Sequence, residues 1–89
     1  MELCNLPVKV LSVCDAGGEI TPIRFRLETA DHQLHTIHIA QVVSRQAVQY
    51  VGIEAFVYLC KAVMEDRERL FELRYTVRSH KWVLQRLVY

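Results

Sequence analysis

Arg69-Leu70-Phe71-Glu72-Leu73-Arg74-Tyr75-Thr76-Val77-Arg78 is the stretch whose side-chain alternation decides the fold class. Phe71, Leu73, Tyr75 and Val77 fall on one side, and Glu72, Arg74, Thr76 and Arg78 on the other. Successive side chains of an extended chain point to opposite faces, so a period of two predicts a half-buried strand. A helix would scatter the same apolar residues around its circumference. Tyr75, Thr76 and Val77 also carry the aromatic and β-branched side chains that suit a pleated surface.

The pattern repeats upstream. Ile23, Phe25 and Leu27 alternate with Arg24, Arg26 and Glu28, and Pro22 opens that run, where its missing N–H does least harm to a ladder. Ile37 and Ile39 alternate with Thr36 and His38. Val8 to Cys14 is a mostly apolar run expected as a strand buried on both faces. Asp15-Ala16-Gly17-Gly18-Glu19 supplies glycines for a hairpin, Thr29 to Gln33 is a polar break, and Glu65 to Glu68 is a charged one. Ser79-His80-Lys81 is short enough for a tight turn into Trp82-Val83-Leu84.

Two segments read less cleanly. Ala40, Val43, Ala47 and Val51 fall at helical spacing with Gly52 placed as a C-terminal cap, so a short helix over 40–51 and an irregular strand both fit. Residues 55–64 also permit a helix, but Val57, Tyr58, Leu59 and Val63 favour a central strand with both faces apolar. The expectation is a single all-β domain over 1–89. It would be a small antiparallel meander or an SH3-like or split-barrel-like barrel of about six strands, with the one helix option at 40–51.

The chain has 89 residues, room for one domain, and 52% of them are hydrophobic against 24% charged, which is globular composition. Lys and Arg number 11 against 10 acids, so net charge selects no partner. Charge distribution selects more. Glu72 is the last acid, and Arg74, Arg78, His80, Lys81 and Arg86 follow it. Met1-Glu2-Leu3-Cys4 opens without a basic stretch or a long apolar run, and the longest apolar run, Ala55 to Cys60, is far below the ~20 residues of a membrane helix. With three irregularly spaced cysteines, Cys4, Cys14 and Cys60, these features lead to the expectation of a cytoplasmic domain with reduced thiols and no membrane contact.

Catalytic patterns are missing from the sequence. His32, His35 and His38 recur every third residue, a spacing that on a strand sends His35 and His38 to opposite faces and keeps them from sharing an ion. Cys60 lies in an apolar stretch where a thiol reads as a small hydrophobe, and no serine has a nucleophile-elbow context. The glycines form neither a phosphate loop nor a dinucleotide fingerprint. No enzyme, cofactor or metal is expected. One cationic constellation remains: with Phe25 and Leu73 inward, Arg24, Arg26, Arg74 and Arg78 face out, with Lys81 at the margin. They would form one anion- or nucleic-acid-binding face if the second and fifth strands were neighbours. Tyr58 and Trp82 are candidates for core or interface aromatics, Trp82 sharing a side with Leu84, Arg86 and Val88. Apolar residues on both faces of 55–64 and 82–89 fit either a closed barrel or a surface buried in a homodimer. The expected function is a non-enzymatic module binding protein or itself, with nucleic-acid binding as the alternative.

Leu70-Phe71-Glu72-Leu73-Arg74-Tyr75 followed by Lys81-Trp82-Val83-Leu84-Gln85-Arg86 resembles the ending of small bacterial all-β domain families of unknown function, which close on ELRY or ELYR and W-x-L-x-R. Pro7-Val8-Lys9-Val10, Gly18, Pro22, Arg24 and Phe25 are similar in their first halves. Distantly similar domains are found alongside error-prone DNA polymerases, so the resemblance implies a DNA-repair association and strands over 55–64. It transfers no catalytic residue. Val42-Val43-Ser44-Arg45 stands where some relatives carry a tryptophan-rich segment.

Overall fold

A computed structural model of the protein describes residues 4–28, 31–64 and 66–88. Six antiparallel strands follow one another in order: β1 (Cys4–Cys14), β2 (Ile20–Glu28), β3 (Leu34–Tyr50), β4 (Ile53–Met64), β5 (Arg67–Thr76) and β6 (Lys81–Leu87). Each pairs with its neighbours in sequence, and β1 pairs with β6, so the sheet closes into a barrel. No helix occurs among the described residues. The alternation at 71–77 sends Phe71, Leu73 and Tyr75 into the interior, as the period of two requires. Arg78 leaves the strand and lies in the following turn.

Two strands serve as corners. β1 pairs with β6 through Cys4–Val8 and with β2 from Lys9 onward. β3 pairs with β2 through Leu34–His38 and with β4 from Ile39 to Tyr50. The barrel is thus a three-stranded sheet set against a five-stranded one, and a strand that changes sheets must bend. The β3 bend carries two bulges, where Ala40 and Val43 are the residues without a partner in the β4 register. Each bulge adds one residue and shifts the alternation that follows it. Ala40 and Val43, the first half of the apparent helical period at 40–51, are these bulge residues, so the helix reading there is corrected to strand. Gly52 is likewise no helix cap. Val51 and Gly52, at φ 51° and 78°, form the two-residue turn between β3 and β4, with both central residues left-handed as a type I′ hairpin turn demands.

Two further bulges correct the expected faces. Between β1 and β2, Leu11 pairs with Arg24 and Ser12 with Pro22, which leaves Ile23 as the extra residue. Ile23 is therefore 40% exposed and Pro22 takes the buried place. Between β5 and β6, Glu72 pairs with Arg86 and Leu73 with Leu84, so Gln85 is extra and Arg86 turns outward, away from the side of Trp82. Leu87 packs toward the core in place of Val88, which is exposed. The run Val8 to Cys14 is not buried on both faces either: Leu11 and Val13 stand half exposed on the outer wall of the β1–β2 hairpin.

The core is built from inward residues of every strand, with Phe25, Tyr58, Cys60, Phe71, Leu73 and Leu84 almost wholly buried. The rings of Phe25 and Phe71 meet at 5.2 Å, and Trp82 packs between Tyr58 and Tyr75 at 5.5 and 4.8 Å. Tyr58 crosses between the two sheets, donating its hydroxyl to the Ile20 carbonyl of β2. Burial pushes the Tyr58 hydroxyl pKa up despite nearby Arg45, and pushes the Cys60 thiol up to about 12. At the same end Arg45 lies 4.2 Å over the Phe56 ring and pairs with Glu19 at 3.5 Å. Asp15 holds the β1–β2 turn by accepting from the Gly17 and Glu19 amides at 2.9 Å.

Candidate functional site

The five cations proposed from sequence do not share one wall. In a closed ring of six strands, β2 and β5 lie three places apart. Phe25 and Phe71, from those two strands, meet in the middle of the barrel, so the outward arginines of β2 and β5 point away from each other. The condition for a joint face of Arg24, Arg26 and Arg74 is not met. Arg74 is also engaged: its Nη1 donates to Gln85 Oε1 at 3.0 Å, and Gln85 Nε2 donates to Glu72 Oε1 at 3.0 Å. Arg86 Nε donates to the same Glu72 oxygen at 2.7 Å. These bonds, with that from Arg86 the strongest, hold the Glu72 carboxyl below its usual range. Arg74 is thus part of a structural chain across β5 and β6.

A different cationic track does form, through a residue that sequence reasoning passed over. Lys9 lies directly opposite Arg26 in the β1–β2 register, with Arg24 opposite Leu11 and His38. Lys9, Arg24, Arg26 and Thr36 line an open groove of about 280 Å³. Just beyond Val8, β1 parts from β6, and the gap forms a second groove of about 470 Å³ that Lys9 shares with Lys81, His80 and Val83. Lys9 is the one residue of the track on both grooves, so Arg24, Arg26, Lys9 and Lys81 form a sequence of cations over β2, β1 and β6.

Four of the acids are engaged elsewhere. Among the described residues, Glu19 pairs with Arg45, Glu28 with His32, Glu68 with Lys61 and Glu72 with Arg86. None of the four track cations forms an ion pair with a described residue. Like charges placed directly opposite on neighbouring strands destabilise a sheet, so the Lys9–Arg26 register is a cost that the fold itself does not offset. The signal available in the sequence was Lys9 standing between Val8 and Val10, but its partner could be identified only from the pairing of β1 with β2.

The other sequence candidates fall into place individually. Tyr58 and Trp82 are core aromatics, 1% and 9% exposed, and Trp82 also borders the second groove beside Lys81. Arg78 is exposed in the β5–β6 turn. His32 lies in the loop after β2 and bonds Glu28 at 3.0 Å, while His35 and His38 occupy alternate faces of β3. Among the described residues, no three His, Cys, Asp or Glu side chains gather as a metal site.

A second surface feature is apolar. The inward side of β4 fills the barrel with Phe56, Tyr58, Cys60, Ala62 and Met64. Its outward side carries Ile53, Ala55, Val57, Leu59, Lys61 and Val63, of which Ala55 is buried and Lys61 pairs with Glu68, and among the described residues no further layer covers it. Val57 and Leu59 are half-buried by their cross-strand neighbours, Ile53 is 41% exposed, and Val51 at the hairpin tip is 87% exposed. Comparison with known proteins adds no relative: no family model, curated protein or solved structure matches this chain.

Proposed function

We propose that this six-stranded barrel is a non-enzymatic interaction module that self-associates through the outer face of its five-stranded sheet. The observation that carries the reading is the outward side of β4, apolar and at least partly exposed at Ile53, Val57, Leu59 and Val63, although the inward side already packs the core. A strand that needs only one apolar face to fold and has two offers the second to a partner. Glu72 and Arg74 border this strip directly opposite Leu59 and Val57, and both are held in place by the hydrogen-bonded chain Arg74–Gln85–Glu72–Arg86. Isologous pairing about a twofold axis places the same strip on both sides of the contact.

The test is light scattering across micromolar concentrations for the wild type and for Val57→Glu. A dimer that dissociates on Val57→Glu, with an unchanged circular dichroism spectrum, supports the reading. A wild type that stays monomeric throughout overturns it.

A second reading, contact with nucleic acid, is favoured by the uncompensated cations Arg24, Arg26, Lys9 and Lys81. The chain's ending resembles small all-β families of unknown function whose distantly similar domains are found beside error-prone DNA polymerases, which points the same way.

A further inference from the structure

From the cationic track, and resting on the second reading above, we infer that the ligand is the sugar–phosphate backbone of a double-stranded nucleic acid, bound without reading bases. Arg24 and Arg26 are two residues apart on β2, so their side chains project about 6.7 Å apart along the strand. Adjacent phosphates of one duplex strand rise about 3.4 Å along the axis while turning around it, which places them roughly 6.7 Å apart, so that spacing matches one step. Lys9 and Lys81 extend the positive potential sideways across β1 and β6, where a backbone lying over both grooves meets them in turn.

Three features select a duplex backbone over other anions. The grooves are open and shallow, whereas small-molecule sites enclose most of their ligand. The outward residues of the track's three-stranded wall are Lys9, Leu11, Val13, Thr21, Ile23, Arg24, Arg26, Glu28, Leu34, Thr36 and His38, and the aromatics that border the two grooves, Phe25 and Trp82, are only 1% and 9% exposed, too buried for an unstacked base to lie on. Single strands are held by such stacking, but a duplex keeps its own bases stacked and shows phosphate outside. The Lys9–Arg26 repulsion is relieved when a phosphate comes between them, so the strain left in the free protein becomes binding free energy.

The experiment is fluorescence polarisation of the full chain with a labelled short duplex, the matching single strand, and inorganic phosphate as competitor. Four phosphate contacts give a log–log salt slope near −3.6, which is a loss of roughly 100-fold in affinity between about 50 and 200 mM salt. Lys9→Ser/Arg26→Ser should cut that loss to roughly ten-fold by removing two contacts. Arg67→Ser, at the opposite end of β5 from the Lys81 pairing, should leave the slope unchanged. No duplex binding at low salt overturns both this inference and the nucleic-acid reading. Binding that survives Lys9→Ser/Arg26→Ser with an unchanged slope overturns the track alone. Tighter binding of the single strand, or full displacement by millimolar inorganic phosphate, overturns the duplex-backbone assignment.

Discussion

If the Lys9–Arg26 register is a cost retained for binding, then reversing one charge should make the free protein more stable. The perturbation is Lys9→Glu. Lys9 and Arg26 face each other directly on β1 and β2, both exposed. Opposite residues have Cβ atoms about 5 Å apart, and for two flexible exposed charges taken as about 7 Å apart in water the repulsion is about 0.6 kcal/mol. Charge reversal replaces repulsion with attraction, a change of about 1.2 kcal/mol before screening. At physiological ionic strength the Debye length is about 8 Å, which reduces the gain to about 0.5 kcal/mol. A domain of this size moves about 4–8 °C in Tm per kcal/mol, so the variant should melt about 2–4 °C higher in ordinary buffer and more at low salt. Trp82, the single tryptophan and buried in the core, reports the transition by fluorescence. Lys9→Gln should fall about midway. The reasoning is refuted if Lys9→Glu melts at or below the wild type in low salt, because the pair would then carry no repulsion to relieve.

Other substitutions probe the barrel itself. Tyr58→Phe keeps the ring but leaves the partly buried Ile20 carbonyl without this donor, and should cost about 1 kcal/mol in urea unfolding with the m-value unchanged. A neutral result would show that water replaces the hydroxyl. Val51→Asn should stabilise by about 1 kcal/mol at protein concentrations low enough to exclude association. A β-branched residue is strained at φ 51°, where asparagine sits readily before Gly52. Cys60 has a folded pKa of about 12, above the unfolded value of about 8.5. Its contribution is therefore complete below about pH 8.5 and drains as pH rises towards 12, by about 1 kcal/mol over the first unit. Equilibrium unfolding of wild type and Cys60→Ala at pH 8 and 9.5 should show that drain only in the wild type. In the native state a maleimide should modify exposed Cys14 and spare Cys60.

The distribution of bulges explains which residues could be read in advance. Phe71, Leu73 and Tyr75 lie on an uninterrupted part of β5, and their alternation carried straight into the barrel. Ile23 and Gln85 each sit at a bulge where the expected face was displaced by one residue, and Ala40 and Val43 sit at two more, within the stretch where helix and irregular strand both fitted. A bulge is a relation between two strands: it exists only against a partner, so the pattern of a single strand does not reveal it. Arg86 illustrates the consequence. By parity it belonged with Trp82, but the extra Gln85 turns it onto Glu72.

The sequence by itself determined that the chain is all-β, that Phe25 and Leu27 of β2 and Phe71, Leu73 and Tyr75 of β5 face inward, and that its cations outlast its acids toward the C-terminus. Those are local properties, set by side-chain period and composition. Only the tertiary structure decided which cations act together. Closure of the barrel put β2 and β5 on opposite walls and engaged Arg74 with Gln85, while the switch of β1 from β6 to β2 brought Lys9 between Lys81 and Arg26. Electrostatic potential depends on distance in space, and strands far apart in sequence become neighbours only through the hydrogen-bonded register that closes the sheet.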